Sequence, residues 1–216
     1  MASLLNLPVF VWDIFIHVST KKYIIKHFGS HMITYHVAAR HLSVGQLLGM
    51  VELLGIVTTK PGSEDRALSE LEDLFQRYNV NAEAQASRTP GVIEMRGNTP
   101  KGLLAAALSR NKLAFVNKAI LFHAVSQADL KSISETASRA VRSFAMNHNA
   151  DSFKVRTEQR SAGLGEGGKL KAHEVDVFVG DFIRRELGLK VELESPSLTV
   201  LVELLGDEAG IALIPG

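Results

Sequence analysis

The chain has 216 residues, enough for one large domain or two small ones, and its 22% charged and 46% hydrophobic residues are ordinary for a folded protein. It has no cysteine, which excludes a disulfide framework, a thiolate nucleophile and a cysteine-based zinc site, and which fits a reducing, cytoplasmic setting. The net charge of +1 conceals a segregation: Arg110–Lys171 holds 11 basic and 5 acidic residues, whereas Ala172–Gly216 holds 3 and 9.

Residues 1–49 contain five of the eight histidines (His17, His27, His31, His36 and His41) and the only tryptophan. The run Leu4–Val18 is apolar apart from Asn6, Asp13 and His17. It is shorter than the ~20 residues that span a bilayer, and it lacks the basic start and small-residue cleavage site of a signal peptide, so no membrane role is expected. Only His27 and His31 stand four apart, a poor basis for a metal site. We treat residues 1–49 as an extension, with Met50 as an alternative start.

From Met50 onward the pattern is regular. Leu53–Thr59 is an apolar, branched run stopped by Lys60-Pro61-Gly62, which predicts a strand and a turn. Ser63 precedes Glu64 and Asp65, acids suited to a helix start, and Leu68, Leu71, Phe75 and Tyr78 recur at three- or four-residue steps, predicting a helix over Glu64–Tyr78. Gly91–Arg96 reads as a strand. Thr99-Pro100 opens a second helix with Leu103, Leu104, Ala107 and Leu108 on its buried side.

A second unit is placed from Arg110. Val116–Val125 is a strand candidate, and Leu130, Ile133, Ala137, Ala140, Val141 and Phe144 mark one face of a helix. Ser152–Gln159 sets Phe153 and Val155 on one side and Lys154, Arg156 and Glu158 on the other, the alternation of a half-exposed strand. The glycine-rich Gly163–Gly168 leads into a helix with Val175, Phe178, Val179, Phe182, Ile183 and Leu187 as its apolar positions, and Gly188 as its stop. Lys190–Glu194, a Ser195-Pro196-Ser197 turn, Leu198–Leu205 and Ala209–Ile214 follow. Helices interleave with strands early and strands cluster late, which predicts an α/β (α+β) fold with a mixed sheet and helices packed on it.

Gly163, Gly165 and Gly168 match G-x-G-x-x-G, the dinucleotide fingerprint. The preceding strand alternates apolar and charged residues, whereas the first strand of a dinucleotide fold is buried on both faces. Glu166 would also face the pyrophosphate. A phosphate-cradling P-loop is a poorer fit still, since Leu170 follows Lys169 where Ser or Thr should stand. The other reading is a glycine loop that brings Arg156, Arg160, Lys169 and Lys171 to a phosphate backbone. On the preceding helix Lys131, Arg139 and Arg142 lie away from the apolar face, and Lys112 and Lys118 extend the basic set. Solvated surface charge is the plainer alternative, with Lys131 and Glu135 as a helical pair. No aromatic residue interrupts the loop, so recognition by shape and backbone is expected, not the reading of unstacked bases.

The order Phe153-Lys154-Val155-Arg156, Arg160-Ser161, a helix from about His173, Lys190-Val191-Glu192-Leu193-Glu194-Ser195-Pro196 and Leu198-Thr199-Val200-Leu201-Val202-Glu203 resembles the THUMP domain. Glu192 stands where that family usually has Asp. The resemblance covers 110–216, and residues 50–109 are similar to the ferredoxin-like unit that commonly precedes such a domain. It implies binding of RNA, typically the acceptor region of tRNA, by Lys154, Arg156, Arg160, Lys169 and Lys171, with Arg139, Arg142 and Lys118 as further contacts. It also implies a place in tRNA modification. With no room for a catalytic domain after the family-like strands, the chain is similar to the stand-alone adaptors of cytidine acetylation, whose acetyltransferase is a separate partner. The alternatives are the RNA-binding subunit of a split thiolating, methylating or pseudouridylating enzyme, and a nucleotide-binding enzyme using Gly163–Gly168.

Catalytic motifs are not found. His123, His148 and His173 are too isolated to serve as bases or ligands, and no H-E-x-x-H or G-x-S-x-G occurs. No catalytic residue, metal or cofactor is therefore expected. The acidic surface of Asp181, Glu186, Asp207 and Glu208 offers a different reading, a module for a basic protein partner.

Overall fold

The structure, a computed structural model, describes residues 13–18, 21–28, 31–37, 51–148, 150–160 and 170–216. The glycine loop and Lys169 lie outside the described residues. Two compact units divide the chain, Met1–Met50 and Val51–Gly216.

The first unit holds an antiparallel meander of β1 (Asp13–Val18), β2 (Lys21–Phe28) and β3 (His31–Val37). Aromatic and β-branched residues dominate these stretches, which favours extended backbone. His27 lies opposite Met32 and His31 opposite Phe28 on neighbouring strands, so their spacing of four does not put them on one helix face.

The second unit begins with β4 (Glu52–Thr58), α1 (Glu64–Arg77), β5 (Ala82–Ala86), β6 (Val92–Gly97), α2 (Lys101–Arg110) and β7 (Lys118–Leu121). The four strands form an antiparallel sheet in the order β5-β6-β4-β7, the β-α-β-β-α-β arrangement of a ferredoxin-like unit. Ala67, Leu71, Leu74 and Phe75 of α1 and Leu104 and Ala107 of α2 bury against Leu54, Val57, Ile93 and Met95. Leu103, expected inside, is 39% exposed, because one apolar stripe suffices where α2 spans only 10 residues. Two acids of α1 fasten loops to this layer. Glu64 accepts the Gly91 N–H at 2.6 Å, and the Glu70 carboxylate accepts the amides of Ala114 and Phe115 at 2.8 and 2.9 Å.

The chain continues through β8 (Ala124–Gln127), α3 (Leu130–His148), β9 (Ser152–Gln159), α4 (Ala172–Leu187), β10 (Lys190–Val191), β11 (Leu198–Leu205) and β12 (Glu208–Pro215). These strands build a mixed sheet in the order β10-β9-β11-β12-β8, parallel at β10-β9-β11 and antiparallel beyond. The expected strand over Val116–Val125 is two strands in two sheets, broken at Phe122-His123. β7 completes the first sheet, whose strands therefore run past Arg110 to Leu121.

One face of the second sheet carries Phe153, Val200, Val202, Ile211 and Leu213, and packs under Ile133, Ala137 and Val141 of α3 and Val175, Val179 and Ile183 of α4. Gly188 adopts φ 69° and ends α4, its N–H donating to the Arg184 carbonyl at 3.0 Å. The helix-free faces of the two sheets meet in a third cluster of Leu53, Ile56, Val92, Ile120, Phe122, Leu201 and Ala212. The sheets thus lie back to back, with a helical layer outside each.

Candidate nucleic-acid interface

Strand alternation sorts the predicted cations by face. Phe153, Val155 and Thr157 of β9 point to the helices, so Lys154, Arg156 and Glu158 occupy the opposite, helix-free face. Register places Lys154 beside Thr199, Arg156 beside Leu201 and Glu158 beside Glu203. Because β9 lies next to the short edge strand β10, this part of the face is left partly open: Arg156 is 67% exposed along its side chain.

Each cation on β9 has a local partner. Lys154 Nζ donates to the Leu193 carbonyl at 3.3 Å, and Arg156 donates from Nε and Nη2 to Glu158 Oε1 at 2.8 and 2.5 Å. Arg160, just past the strand, is held most firmly. Its N–H donates to the Leu204 carbonyl at 3.0 Å, and its Nε and Nη2 donate to Glu203 at 2.8 and 3.3 Å. The Glu203 side chain is fully buried. Burial pushes its carboxyl above the usual range while the Arg160 bonds and charge pull it back, and the same bonds raise the Arg160 guanidinium.

Lys118 is exposed on β7, in the other sheet, yet its charge also acts on Glu203. It therefore lies toward the same end of the face. Lys112 sits elsewhere, beside Glu70, Asp73 and Arg77 of α1.

The remaining predicted contacts lie on the other side of the second sheet. Arg139 is exposed on α3 and bonds back to the Glu135 carbonyl and Thr136 Oγ1 at 3.4 and 3.2 Å. Arg142 pairs with Glu186 of α4 at 3.6 Å. Lys171 caps the start of α4, 78% exposed, 3.6 Å from Glu174. The single basic surface drawn from the sequence is thus divided by the sheet. The division matters electrostatically. In α3 and α4 Lys131, Arg139, Arg142, Arg184 and Arg185 are matched by Glu135, Glu174, Asp176, Asp181 and Glu186, whereas Lys118, Lys154, Arg156 and Arg160 outnumber Glu158 and Glu203, the acids that pair with Arg156 and Arg160.

Sequence reasoning gives Glu203 only as one residue of a family-like strand. Its signal was present, since it is the only charged side chain in Leu198–Leu205, and a buried charge demands a partner. Phe178, expected on the buried face of α4, is 47% exposed, because Val175, Val179 and Ile183 already fill the contact with the sheet.

The described residues offer little else. A groove of about 490 Å³ between α1 and β5 is lined by Glu72 and Glu83, the wrong charge for phosphate. No group of three His, Asp or Glu side chains is placed to hold a metal, and no helix is long and apolar enough to cross a membrane, among the described residues.

Comparison with known proteins bears on residues 127–213, which match the family model described as the THUMP domain. No curated protein matches the sequence at a significant level. Among solved structures the chain is similar to PH1313 from Pyrococcus horikoshii Ot3, with 20% identity and a TM-score of 0.63 over 76% of this chain and 56% of that one. It is also similar to TrmN from Thermus thermophilus (22% identity, TM-score 0.52, 75% of this chain and 45% of that one). A 4-thiouridine synthetase crystallised in complex with RNA and bound ATP gives 14% identity and a TM-score of 0.54 over 74% of this chain and 41% of that one. The chain spans about half the length of these structures or less. At these identities the likeness is one of fold.

Proposed function

Because residues 127–213 are a THUMP domain, we propose that the chain binds RNA, specifically the acceptor region of tRNA, through the helix-free face of β9. The observation that carries this reading is the excess positive charge of that face, where Lys118, Lys154, Arg156 and Arg160 outnumber Glu158 and Glu203, set against a helical layer whose charges cancel. A surface of this kind attracts a phosphate backbone through counterion release and selects by shape. The fold shared with a synthetase crystallised with RNA supports the same reading.

Within tRNA modification we assign the chain the part of a cytoplasmic, non-catalytic adaptor that presents tRNA to a separate acetyltransferase forming N4-acetylcytidine. The ferredoxin-like unit, expected over 50–109 but carried on to Leu121 by β7, and the segment from β8 onward would then act as a supporting unit and an RNA-binding domain. A second reading is the RNA-binding part of a split thiolating, methylating or pseudouridylating enzyme. It is favoured by the matched structures, each of which continues beyond the portion this chain covers.

The decisive experiment is a tRNA gel shift at several salt concentrations, with wild type and with Lys118, Lys154, Arg156 and Arg160 replaced by Ala. The wild type is expected to bind with strong salt dependence and the quadruple variant to lose most of the affinity; equal binding would remove the basic face as the interface. Copurification with an acetyltransferase, and acetylation lost without this chain, tests the adaptor role. ATP or S-adenosylmethionine binding abolished by Gly165→Val would instead support a nucleotide-using enzyme.

A further inference from the structure

We propose that Glu203 is a positioning residue for RNA binding: buried beneath the helix-free face, it holds the Arg160 guanidinium in one fixed orientation toward phosphate. The inference rests on the RNA-binding reading above and assigns the acid on which that site depends.

A surface arginine samples many rotamers, and ordering it on a ligand costs side-chain entropy. Arg160 is ordered in advance. Its backbone N–H is bonded to Leu204, and its Nε and Nη2 are bonded to the two oxygens of Glu203. Those bonds leave the Nη1 side of the guanidinium fork uncommitted to that carboxylate, and the side chain remains 27% exposed. A buried carboxylate is costly unless some gain offsets it, and an uninterrupted apolar strand would serve the sheet as well. Leu198–Leu205 is otherwise built that way, with Val200, Leu201, Val202 and Leu204 all buried. The acid stands where the strand passes β9's basic end, next to Glu158 in register and within the field of Lys118 from the other sheet. It therefore binds one cation, Arg160, directly and lies within the field of a second from the other sheet.

The sign of one substitution separates this role from simple electrostatics. Glu203→Gln removes a negative charge near the site, so bulk charge alone predicts tighter tRNA binding. A positioning role predicts weaker binding. Fluorescence anisotropy with tRNA, on the full chain across several salt concentrations, should show Glu203→Gln and Arg160→Ala each weakened about three- to tenfold, each with a shallower salt dependence. The double variant should be no weaker than Arg160→Ala, since Glu203 acts through that arginine. Glu203→Asp keeps the charge and shortens the reach. It should also weaken binding, and it covers the case in which Glu203→Gln fails to fold.

Tighter or unchanged binding by Glu203→Gln and Glu203→Asp, or additive losses in the double variant, would overturn the proposal while leaving RNA binding intact. Failure of the wild type to bind any RNA would overturn the reading on which it rests, and this inference with it.

Discussion

His123 Nδ1 accepts the backbone N–H of Leu213 at 3.1 Å, and the His123 backbone N–H donates to the Ile211 carbonyl at 2.7 Å. This pair of bonds stitches the segment between β7 and β8 onto β12, where the chain passes from one sheet to the other. Lys101 Nζ adds a bond to the His123 carbonyl at 3.2 Å. His123 is exposed as a residue, but its Nδ1 must stay unprotonated to accept.

Burial against β12 and, after it, the Lys101 charge hold the His123 imidazole below its usual value. A group whose folded value is depressed contributes stability that is fully present above the unfolded value of about 6.5 and is lost as pH falls below it. Urea unfolding of wild type should therefore give a lower midpoint at pH 5.5 than at pH 7.5. His123→Ala should be less stable at pH 7.5 by about 1 kcal/mol, the worth of one hydrogen bond, and should show a smaller pH difference across that window. An identical pH difference in the two proteins would remove His123 as its source.

The same crossing depends on Gly210. A Cβ there would overlap one edge of the Phe122 ring, which is 1% exposed in the cluster between the sheets. Gly210→Ala should cost about 1–3 kcal/mol in urea unfolding, the usual penalty for overpacking. Adding Phe122→Leu should recover part of that loss, because the shorter side chain vacates the space. Loss equal to the sum of the two single changes would argue against the contact.

Much of this fold could be read directly, and where reading stopped the reasons are local. α1, α3 and α4 follow from apolar residues at helical spacing over 14, 19 and 16 residues. β9 follows from its alternation. β5 was missed because Ala82–Ala86 is two-fifths charged or amide residues among alanines, with little strand preference of its own, and is ordered as an edge by pairing with β6. The break at Phe122-His123 is not legible in the sequence because both halves of Val116–Val125 are largely apolar, and only tertiary pairing assigns them to different sheets. The site behaved likewise. The cations on β9 were visible as cations, but which face each occupies, and that a buried acid on a strand some 43 residues away holds Arg160, depend on register.

Ser197 illustrates a bond that composition disguises as a turn. Its Oγ accepts the amides of Asp151 and Ser152 at 3.2 and 3.0 Å and donates to the Ser152 carbonyl at 2.7 Å, so one hydroxyl fastens the start of β9 to the start of β11. Ser197→Ala leaves those amides against a methyl group and should cost about 1–3 kcal/mol. Hydrogen exchange at Asp151 and Ser152 should accelerate first, while β12 stays protected. Unchanged exchange there would show that the hydroxyl is not what holds the strand start.

The two faces of the second sheet give the sharpest comparison for RNA binding. Lys154→Glu with Arg156→Glu reverses two cations on the helix-free face, and Arg139→Glu with Arg142→Glu reverses two on the helical layer. Both pairs change the net charge equally, so long-range attraction falls alike and any difference between them reports local contact. Arg142 is also engaged by Glu186 across α3 and α4, and reversing it creates a like-charge pair within the helical layer, a stability effect to be checked by thermal unfolding. With folding confirmed, the helix-free pair should lose more than about tenfold in tRNA affinity at physiological salt, and the helical pair less than about threefold. The ordering carries the conclusion. If the helical pair loses more, the phosphate backbone lies across α3 and α4, and the interface moves to the other side of the sheet.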